Sequence, residues 1–189
     1  MKTEEKESKH AIGKKAEMML PLLLVFTVGG VFGFVYEELF YWIDLGYLVK
    51  RGTTFGPWIP IYGFGAVLIL LSANRFRRNP AVVFAVSALA CGALEYITGL
   101  ALFLAGGIRL WDYNTEIWNW GNVGGFICAR SVVFFGLSAL LLLYAVVPVI
   151  SCIQKRCKPQ TFLCVSIAPA ALFAADILLS LLFRLHGFV

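Results

Sequence analysis

MLPLLLVFTVGGVFGFVYEELFY, from Met19 to Tyr41, is the first of several long apolar segments in this chain. A transmembrane helix needs about 20 mostly apolar residues to cross a hydrocarbon core roughly 30 Å thick. Four further apolar segments follow: Pro57–Ala73, Ala81–Leu104, Asn122–Ile150 and Thr161–Phe183. The first of these is short and begins with two prolines, so we expect it to be tilted or partly irregular; Asn122–Ile150 is longer than a bilayer needs, so we expect it to include an interfacial turn. The sequence therefore predicts an all-α fold, a polytopic membrane helix bundle of about five transmembrane helices.

The composition agrees with a membrane protein. Hydrophobic residues make up 60% of the chain and charged residues 14%, and the mean hydropathy is +0.81. Soluble domains average about 45–50% apolar and about 25% charged residues. For the 189 residues we predict a charged cytoplasmic tail over residues 1–17 and one transmembrane domain over residues 18–189, with no room for a soluble catalytic domain.

The positively charged residues predict the orientation. With the N-terminus inside, the inner segments carry more Lys and Arg than the outer ones, as the positive-inside rule requires. The inner set is Lys2, Lys6, Lys9, Lys14, Lys15, Arg75, Arg77, Arg78, Lys155, Arg156 and Lys158. The outer set is Lys50, Arg51, Arg109 and Arg184. We therefore expect the N-terminus in and the C-terminus out, and the net charge of +5 to belong to the helix flanks, with no nucleic-acid partner.

Ionisable residues interrupt four of the apolar segments at about the same depth. Glu37, Glu95, Arg130 and Asp176 lie roughly 6–14 Å below the predicted outer ends of their helices, at about 1.5 Å per residue. A charge in hydrocarbon costs from about 2.5 to more than 10 kcal/mol, so such groups usually face one another or a polar cavity. We predict a single polar site open to the outer face. A salt-bridge network that locks the helices together, and snorkelling of single side chains such as Glu38, are the alternatives.

The predicted site has an excess of negative charge. Counting Glu38, four carboxylates stand against the single guanidinium of Arg130. Either carboxylates are protonated, or Arg51 and Arg109 reach in from the loops, or a cation binds. Trp111, Asp112 and Tyr113 of the second outer loop would shape the entrance.

All five tryptophans fall at the predicted outer ends or in the outer loops. An aromatic belt normally flanks both interfaces, so a one-sided set indicates either an outer anchor or a lid over the polar site. The five are Trp42, Trp58, Trp111, Trp118 and Trp120.

An ordered set of motifs resembles a bacterial membrane family. The motifs are Gly33-Phe34-Val35-Tyr36-Glu37, Arg51-Gly52, Gly56-Pro57, Pro60-Ile61-Tyr62-Gly63, Glu95-Tyr96, Trp111-Asp112-Tyr113 and Asn122. In this order, over about Gly30 to Gly136, they resemble the family described as "Putative ABC-transporter type IV", the CmpB-like permeases. The resemblance implies a multi-pass permease subunit of the bacterial cytoplasmic (inner) membrane, with a separate ATPase or another membrane subunit as partner. Its motifs add Tyr62, Tyr96 and Asn122 to the candidate substrate-binding or proton-carrying residues.

Motifs for nucleotide, metal or nucleophilic chemistry are missing from the sequence. It has no Gly-x-x-x-x-Gly-Lys-[Ser/Thr] motif, so an ATPase would have to be a separate chain. The two histidines, His10 and His186, are terminal, and the five cysteines form no Cys-x-x-Cys pair, so we expect no cofactor and no metal. Ser131, beside Arg130, is interpreted as a helix-packing hydroxyl because no histidine base is near.

The leading functional hypothesis is a transport-related component, a permease subunit with an outward-facing polar site for a cation, a proton or a small polar solute. Glu37, Glu95 and Asp176 would supply negative charge or carry protons, and Arg130 and Arg51 would balance them. The alternative is a membrane sensor or accessory subunit that binds a protein partner or an envelope lipid through its outer loops. An intramembrane enzyme acting on a lipid headgroup ranks last.

Overall fold

The computed structural model describes the backbone of residues 2–185 and the side chains of residues 19–183. In that range the regular elements are helices, with one isolated bridge between Val123 and Ile127. The helices are α1 (Lys2–Leu45), α2 (Pro60–Ala73), α3 (Pro80–Gly106), α4 (Ala129–Leu141), α5 (Val147–Arg156) and α6 (Pro159–Leu185). A 3₁₀ turn, Asn74–Phe76, follows α2, and a π-helical segment, Leu142–Val146, joins α4 to α5.

The helices confirm the predicted fold class. Four stretches are long and apolar enough to cross a membrane: Met19–Leu45, Pro80–Gly106, Ala129–Arg156 and Pro159–Phe183. A shorter apolar helix, Pro60–Phe76, is the fifth. The protein is therefore a multi-pass membrane protein with about five membrane helices, and the direction of its termini stays a prediction.

Several predicted features concern side chains outside the described range. The backbone of Lys2 onward belongs to α1, but the side chains of the predicted tail, residues 1–17, lie outside it, as do those of His10, Arg184 and His186. The predicted division into a tail and a transmembrane domain stays a prediction for this reason.

The fourth membrane helix begins at Ala129, and the first residues of the predicted segment Asn122–Ile150 form the turn that its length indicates. Gly121, Gly124 and Gly125 have φ angles of 69°, 62° and 81°, and this left-handed conformation cannot continue a right-handed helix. The backbone N–H of Gly125 donates to the side-chain oxygen of Asn122 at 2.8 Å and closes a turn. Residues 122–128 therefore belong to the preceding loop.

The second membrane helix also begins later than predicted, at Pro60 rather than Pro57. Pro60 occupies the first turn of α2, where its missing N–H costs no hydrogen bond and its fixed φ suits a helix. Pro57 lies in the preceding loop, whose turns place Trp58 against α6.

Four helices stand in a ring. Helix α1 packs against α2 and α6, α2 against α3, and α3 against α4. Glycine permits the close approach of α1 to α2, because a Cβ on Gly33 would collide with the ring of Tyr62. Helices α1 and α4 close the ring with few backbone contacts. They meet through aromatic side chains, with the rings of Tyr36 and Phe134 stacked at a centroid distance of 3.6 Å.

The two ends of the bundle differ in character. The loops of residues 46–59 and 107–128 lie at one end, here called the loop end, which the sequence predicts to be the outer side. The backbone N–H of Ile117 donates to Asp44 at 3.1 Å and ties the second of these loops to α1. The short basic connections around residues 74–79 and 155–158 lie at the opposite end, here called the basic end.

A π-helical turn interrupts the fourth membrane helix below its midpoint. Pro148 has no N–H to donate to the carbonyl of Tyr144, which favours a local change of helix geometry. The guanidinium of Arg77 donates to the carbonyl of Leu143 in this turn, and the Tyr144 hydroxyl donates to the Arg77 carbonyl at 2.8 Å. π-Helical turns are frequent at functional sites, and this one contributes to the wall of a cavity.

Candidate functional site

A cavity lies inside the ring formed by α1, α2, α3 and α4. The centres of water molecules can occupy about 110 Å³ of it, which is room for several waters. Its half at the loop end carries ionisable and phenolic side chains: Tyr36, Glu37, Tyr41, Tyr62, Glu95, Tyr113, Glu116 and Arg130. Its half toward the basic end is mainly apolar, with Val28, Phe32, Ile69, Leu141, Leu142 and Val146 among its lining residues.

Glu95 is the buried carboxylate on α3. One of its oxygens accepts a hydrogen bond from the Tyr113 hydroxyl at 2.6 Å, and the other accepts one from the Ser131 hydroxyl at 2.8 Å. Only 6% of the residue is exposed. Among the side chains from residue 19 to residue 183, no ion pair involves this carboxylate. Glu95 is thus held by two neutral hydroxyls in the wall of the cavity.

Glu37 is paired with an arginine from the first loop. The Nε of Arg51 lies 3.3 Å from a Glu37 carboxylate oxygen, and its guanidinium carbon lies 3.7 Å from the centre of the Tyr41 ring. The backbone N–H of Arg51 donates to Glu38 at 2.8 Å. The expectation that Arg51 reaches in from the loop thus agrees with its position.

Arg130 is paired with Glu116, a residue of the second loop. Its Nη2 lies 2.5 Å from a Glu116 carboxylate oxygen, and the two side chains are 12% and 5% exposed. The Tyr41 hydroxyl donates to the other Glu116 oxygen, so this loop residue connects α1 to α4 across the top of the cavity. Within the described part of the chain, Nε and Nη1 of Arg130 have no hydrogen-bond acceptor. The ring of Phe40 lies 3.8 Å from the guanidinium carbon and supplies a cation–π contact.

The second loop supplies both wall and scaffold. Trp111 and Tyr113 line the cavity, and the Trp111 indole donates to the carbonyl of Phe126 at 3.0 Å. Asp112 and Asn122 face other parts of the loop. Asp112 accepts from the backbone N–H of Asn114 at 3.0 Å, and the Asn122 amide donates to the Asn114 side chain at 2.8 Å.

Tyr113 lies outside the membrane helices and keeps its proton. Burial, reinforced by the negative charge of Glu95, raises the pKa of its phenol well above the ordinary value. Because the phenol stays protonated, its hydroxyl is a permanent hydrogen-bond donor to Glu95.

Asp176 is not part of the cavity, so the expectation of a single cluster does not hold for it. It accepts hydrogen bonds from the backbone N–H groups of Phe55 at 3.0 Å and Gly56 at 2.7 Å, and from the Trp58 indole at 2.6 Å. Helix α6 packs on α1, outside the ring of α1 to α4. A residue of α6 can therefore share the depth of Glu37 and still face another direction, and here it fixes the first loop.

Of the tyrosines predicted as site residues on α2 and α3, one lines the cavity and the other does not. Tyr62 lines the cavity. Tyr96, next to Glu95 on α3, points elsewhere and lies edge-on to the Phe126 ring at 6.1 Å. Arg109 does not reach the cavity: its guanidinium lies 3.5 Å from Asp112 and donates to a loop carbonyl.

Sequence reasoning missed two contributions to the site. Glu116 was not among the predicted site residues, although its position among Trp111, Trp118 and Trp120 was a signal that the loop folds back on the bundle. Ser131, interpreted as a packing hydroxyl, donates to Glu95.

Comparison with known proteins identifies the family of the chain. The model of the family described as "Putative ABC-transporter type IV" matches residues 24–181, a range that includes every lining residue of the cavity. No curated protein and no solved structure matches the chain. The chain belongs to the family described as "Putative ABC-transporter type IV".

Proposed function

We propose that this protein is a permease component whose cavity binds a small cation or a proton at Glu95. The observation that carries the proposal is the position of Glu95, buried at the cavity wall with two hydroxyl donors. Family membership supports transport in general, and the cavity supports this particular site.

The charges of the cavity support a positively charged ligand. Arg51 balances Glu37, and Arg130 balances Glu116. Of the three carboxylates that line the cavity, Glu95 is then the one without a counter-ion among the described side chains. An isolated ionised carboxylate is very costly in a low-dielectric interior, so it either takes a proton or attracts a cation. Both outcomes make Glu95 the exchangeable position of the site.

The energy source and the setting belong to the same proposal. The chain has no P-loop sequence, so ATP would act through a separate ATPase subunit. Such a subunit would dock at the basic end, at the connections near residues 74–79 and 155–158. We place the loop end outside and the protein in the bacterial cytoplasmic membrane, as the distribution of Lys and Arg favours.

The test is flux in proteoliposomes that hold the full-length protein. Proton flux and uptake of small organic cations would be compared between the wild type and Glu95→Gln, which keeps the shape of the side chain and removes its charge. Glu38→Gln is the matched control, because Glu38 is a carboxylate near the same end that does not line the cavity. We expect Glu95→Gln to abolish flux and Glu38→Gln to retain it. Equal flux in both variants would contradict the proposal.

A second candidate function is an accessory subunit that binds a partner through the loop end. The supporting observation is the exposure of three tryptophans there, Trp42 at 53%, Trp118 at 57% and Trp120 at 57%. Replacing Trp118 and Trp120 with alanine would release a co-purifying subunit if they form its contact. Retention of that subunit, with unchanged affinity, would leave these side chains as anchors in the membrane interface.

A further inference from the structure

We infer that the ligand of this cavity is a single-chain cationic amphiphile that enters sideways from the bilayer. Its headgroup would lie at Glu95 and its hydrocarbon chain in the apolar half of the cavity. This inference rests on the proposed function, because Glu95 supplies the headgroup contact, and it adds the chemical class of the ligand and its route.

The cavity has the polarity of an amphiphile. Its lining on α1 extends from Tyr41 at the loop end to Val28, a distance of about 20 Å along a helix. Ionisable groups are confined to the first part of this length, whereas Phe32, Ile69 and Leu142 line the second part. A small hydrated cation finds no charged partner in that second part. A hydrocarbon chain is stabilised there by the removal of its apolar surface from water.

The apolar half opens toward the membrane between α1 and α4. Val28, Phe32 and Leu141 line the cavity and are nevertheless 37%, 38% and 48% exposed. They lie on the two helices of the ring that have few backbone contacts with each other. The Phe134 ring stacks on Tyr36 and also lies parallel to the Phe32 ring, at a centroid distance of 6.1 Å, so that this stack of three rings closes the same seam nearer the loop end. The opening therefore begins below this stack, at a depth where the bundle is surrounded by lipid chains.

The loop end, in contrast, is covered. Glu116 connects Tyr41 to Arg130 across the top of the cavity. Trp111 is fixed by its indole to the carbonyl of Phe126 at 3.0 Å. A ligand from water would have to displace this loop, whereas a ligand from the bilayer would only have to pass the seam.

The charge of the cavity selects the headgroup. Three carboxylates line the cavity, those of Glu37, Glu95 and Glu116, and two guanidinium groups balance two of them: Arg51 pairs with Glu37 and Arg130 with Glu116. An anionic headgroup would increase the excess of negative charge when Glu95 is ionised. An ammonium headgroup removes that excess and can donate hydrogen bonds to the carboxylate.

The test is photo-crosslinking of the full-length protein in phosphatidylcholine nanodiscs. The probe is dodecylammonium with a diazirine in the middle of its chain, and the labelled peptides are identified by mass spectrometry. We expect labelling at Phe32 and Leu141, reduced roughly tenfold by Leu141→Trp, since the indole would exclude several methylene groups. Leu137→Trp is the matched control, because Leu137 is 55% exposed on the same helix and does not line the cavity.

The outcomes separate this inference from the proposed function. Equal labelling of the Leu141→Trp and Leu137→Trp variants would overturn lateral entry. Ethylammonium, which has almost no hydrocarbon chain, is the competitor. If it competes as well as the long-chain amine, and only when Glu95 is present, the ligand is not an amphiphile, and the proposed function stands. Labelling and competition that are unchanged in Glu95→Gln would contradict both. If Leu141→Trp does not fold, Val28→Trp tests the other side of the seam, with Val35→Trp as its control.

Discussion

Breaking the buried pair of Arg130 and Glu116 should cost far more stability than breaking an exposed ion pair of the same loop. The change is Glu116→Gln, which keeps the size of the side chain and an acceptor oxygen but removes the charge. Both side chains are nearly buried, at 12% and 5% exposure, so the change leaves a buried guanidinium without its counter-ion. Breaking a buried pair in this way costs about 3–5 kcal/mol. We expect a loss of about 3 kcal/mol, at the lower end of this range, because the amide oxygen and the Phe40 ring still contact Arg130.

The matched control is Asp112→Asn. Asp112 pairs with Arg109 at 3.5 Å, and these side chains are 34% and 30% exposed. Exposed pairs contribute about 0–1 kcal/mol, and the asparagine keeps an oxygen for the hydrogen bonds within the loop. The control variant should therefore lose less than about 1 kcal/mol.

The assay is a double-mutant cycle on the free energy of unfolding in detergent, with Glu116→Gln, Arg130→Gln and the double variant. Removing both charges eliminates the uncompensated ion, so the double variant should be more stable than the sum of the two single losses indicates. Strict additivity, or a loss in Glu116→Gln no larger than in Asp112→Asn, would refute the interpretation of Glu116 as the buried partner of Arg130.

Three further changes test other parts of the structure. Asp176→Asn should loosen the first loop and cost about 1–3 kcal/mol, because hydrogen bonds to a charged acceptor are replaced by weaker ones; faster hydrogen exchange in that loop would show it, and unchanged exchange would contradict it. Tyr113→Phe should reduce the fall of stability in alkali. The pKa of Tyr113 is raised in the folded protein, so the unfolded chain ionises this tyrosine first as the pH rises. The contribution of Tyr113 to the free energy of unfolding is therefore complete below pH about 10 and is lost at higher pH. An identical fall of the unfolding free energy with alkaline pH in wild type and variant would exclude this. Gly33→Ala should lower thermal stability by about 1–3 kcal/mol through collision with the Tyr62 ring, whereas Gly65→Ala, whose Cβ would lie 3.7 Å from the nearest sulfur, should be tolerated; equal melting temperatures would argue against the close packing of α1 on α2.

The helical architecture was predictable because hydropathy reports burial in lipid directly. The segment from Met19 became a membrane helix for that reason, and so did the segment ending at Phe183. The beginning of the fourth helix was not predictable from hydropathy, since the residues from Asn122 to Cys128 are as apolar as a helix requires. The positive φ angles of Gly124 and Gly125 decide that this stretch is a loop.

The site was predictable in depth but not in direction. Counting residues at about 1.5 Å each places Glu37, Glu95 and Asp176 at similar heights, and the first two line the cavity. The count for Arg130 began at Asn122, whereas Arg130 is the second residue of α4; it nevertheless lines the cavity. Asp176 faces the first loop because α6 packs outside the ring, which depends on tertiary contacts. Glu116 lines the cavity because its loop folds back over the bundle. Counting residues along helices cannot predict the position of a loop residue.

The most direct test of the central claim is the infrared signature of the Glu95 carboxyl group in the reconstituted protein. If Glu95 holds a proton when no cation is bound, the wild type has a protonated-carboxyl band that is absent from Glu95→Gln. That band should disappear when the cationic probe is added and return when the probe is removed. The assignment of Glu95 as the binding residue would be contradicted if wild type and Glu95→Gln showed the same carboxyl bands and the wild-type spectrum did not change on adding the probe.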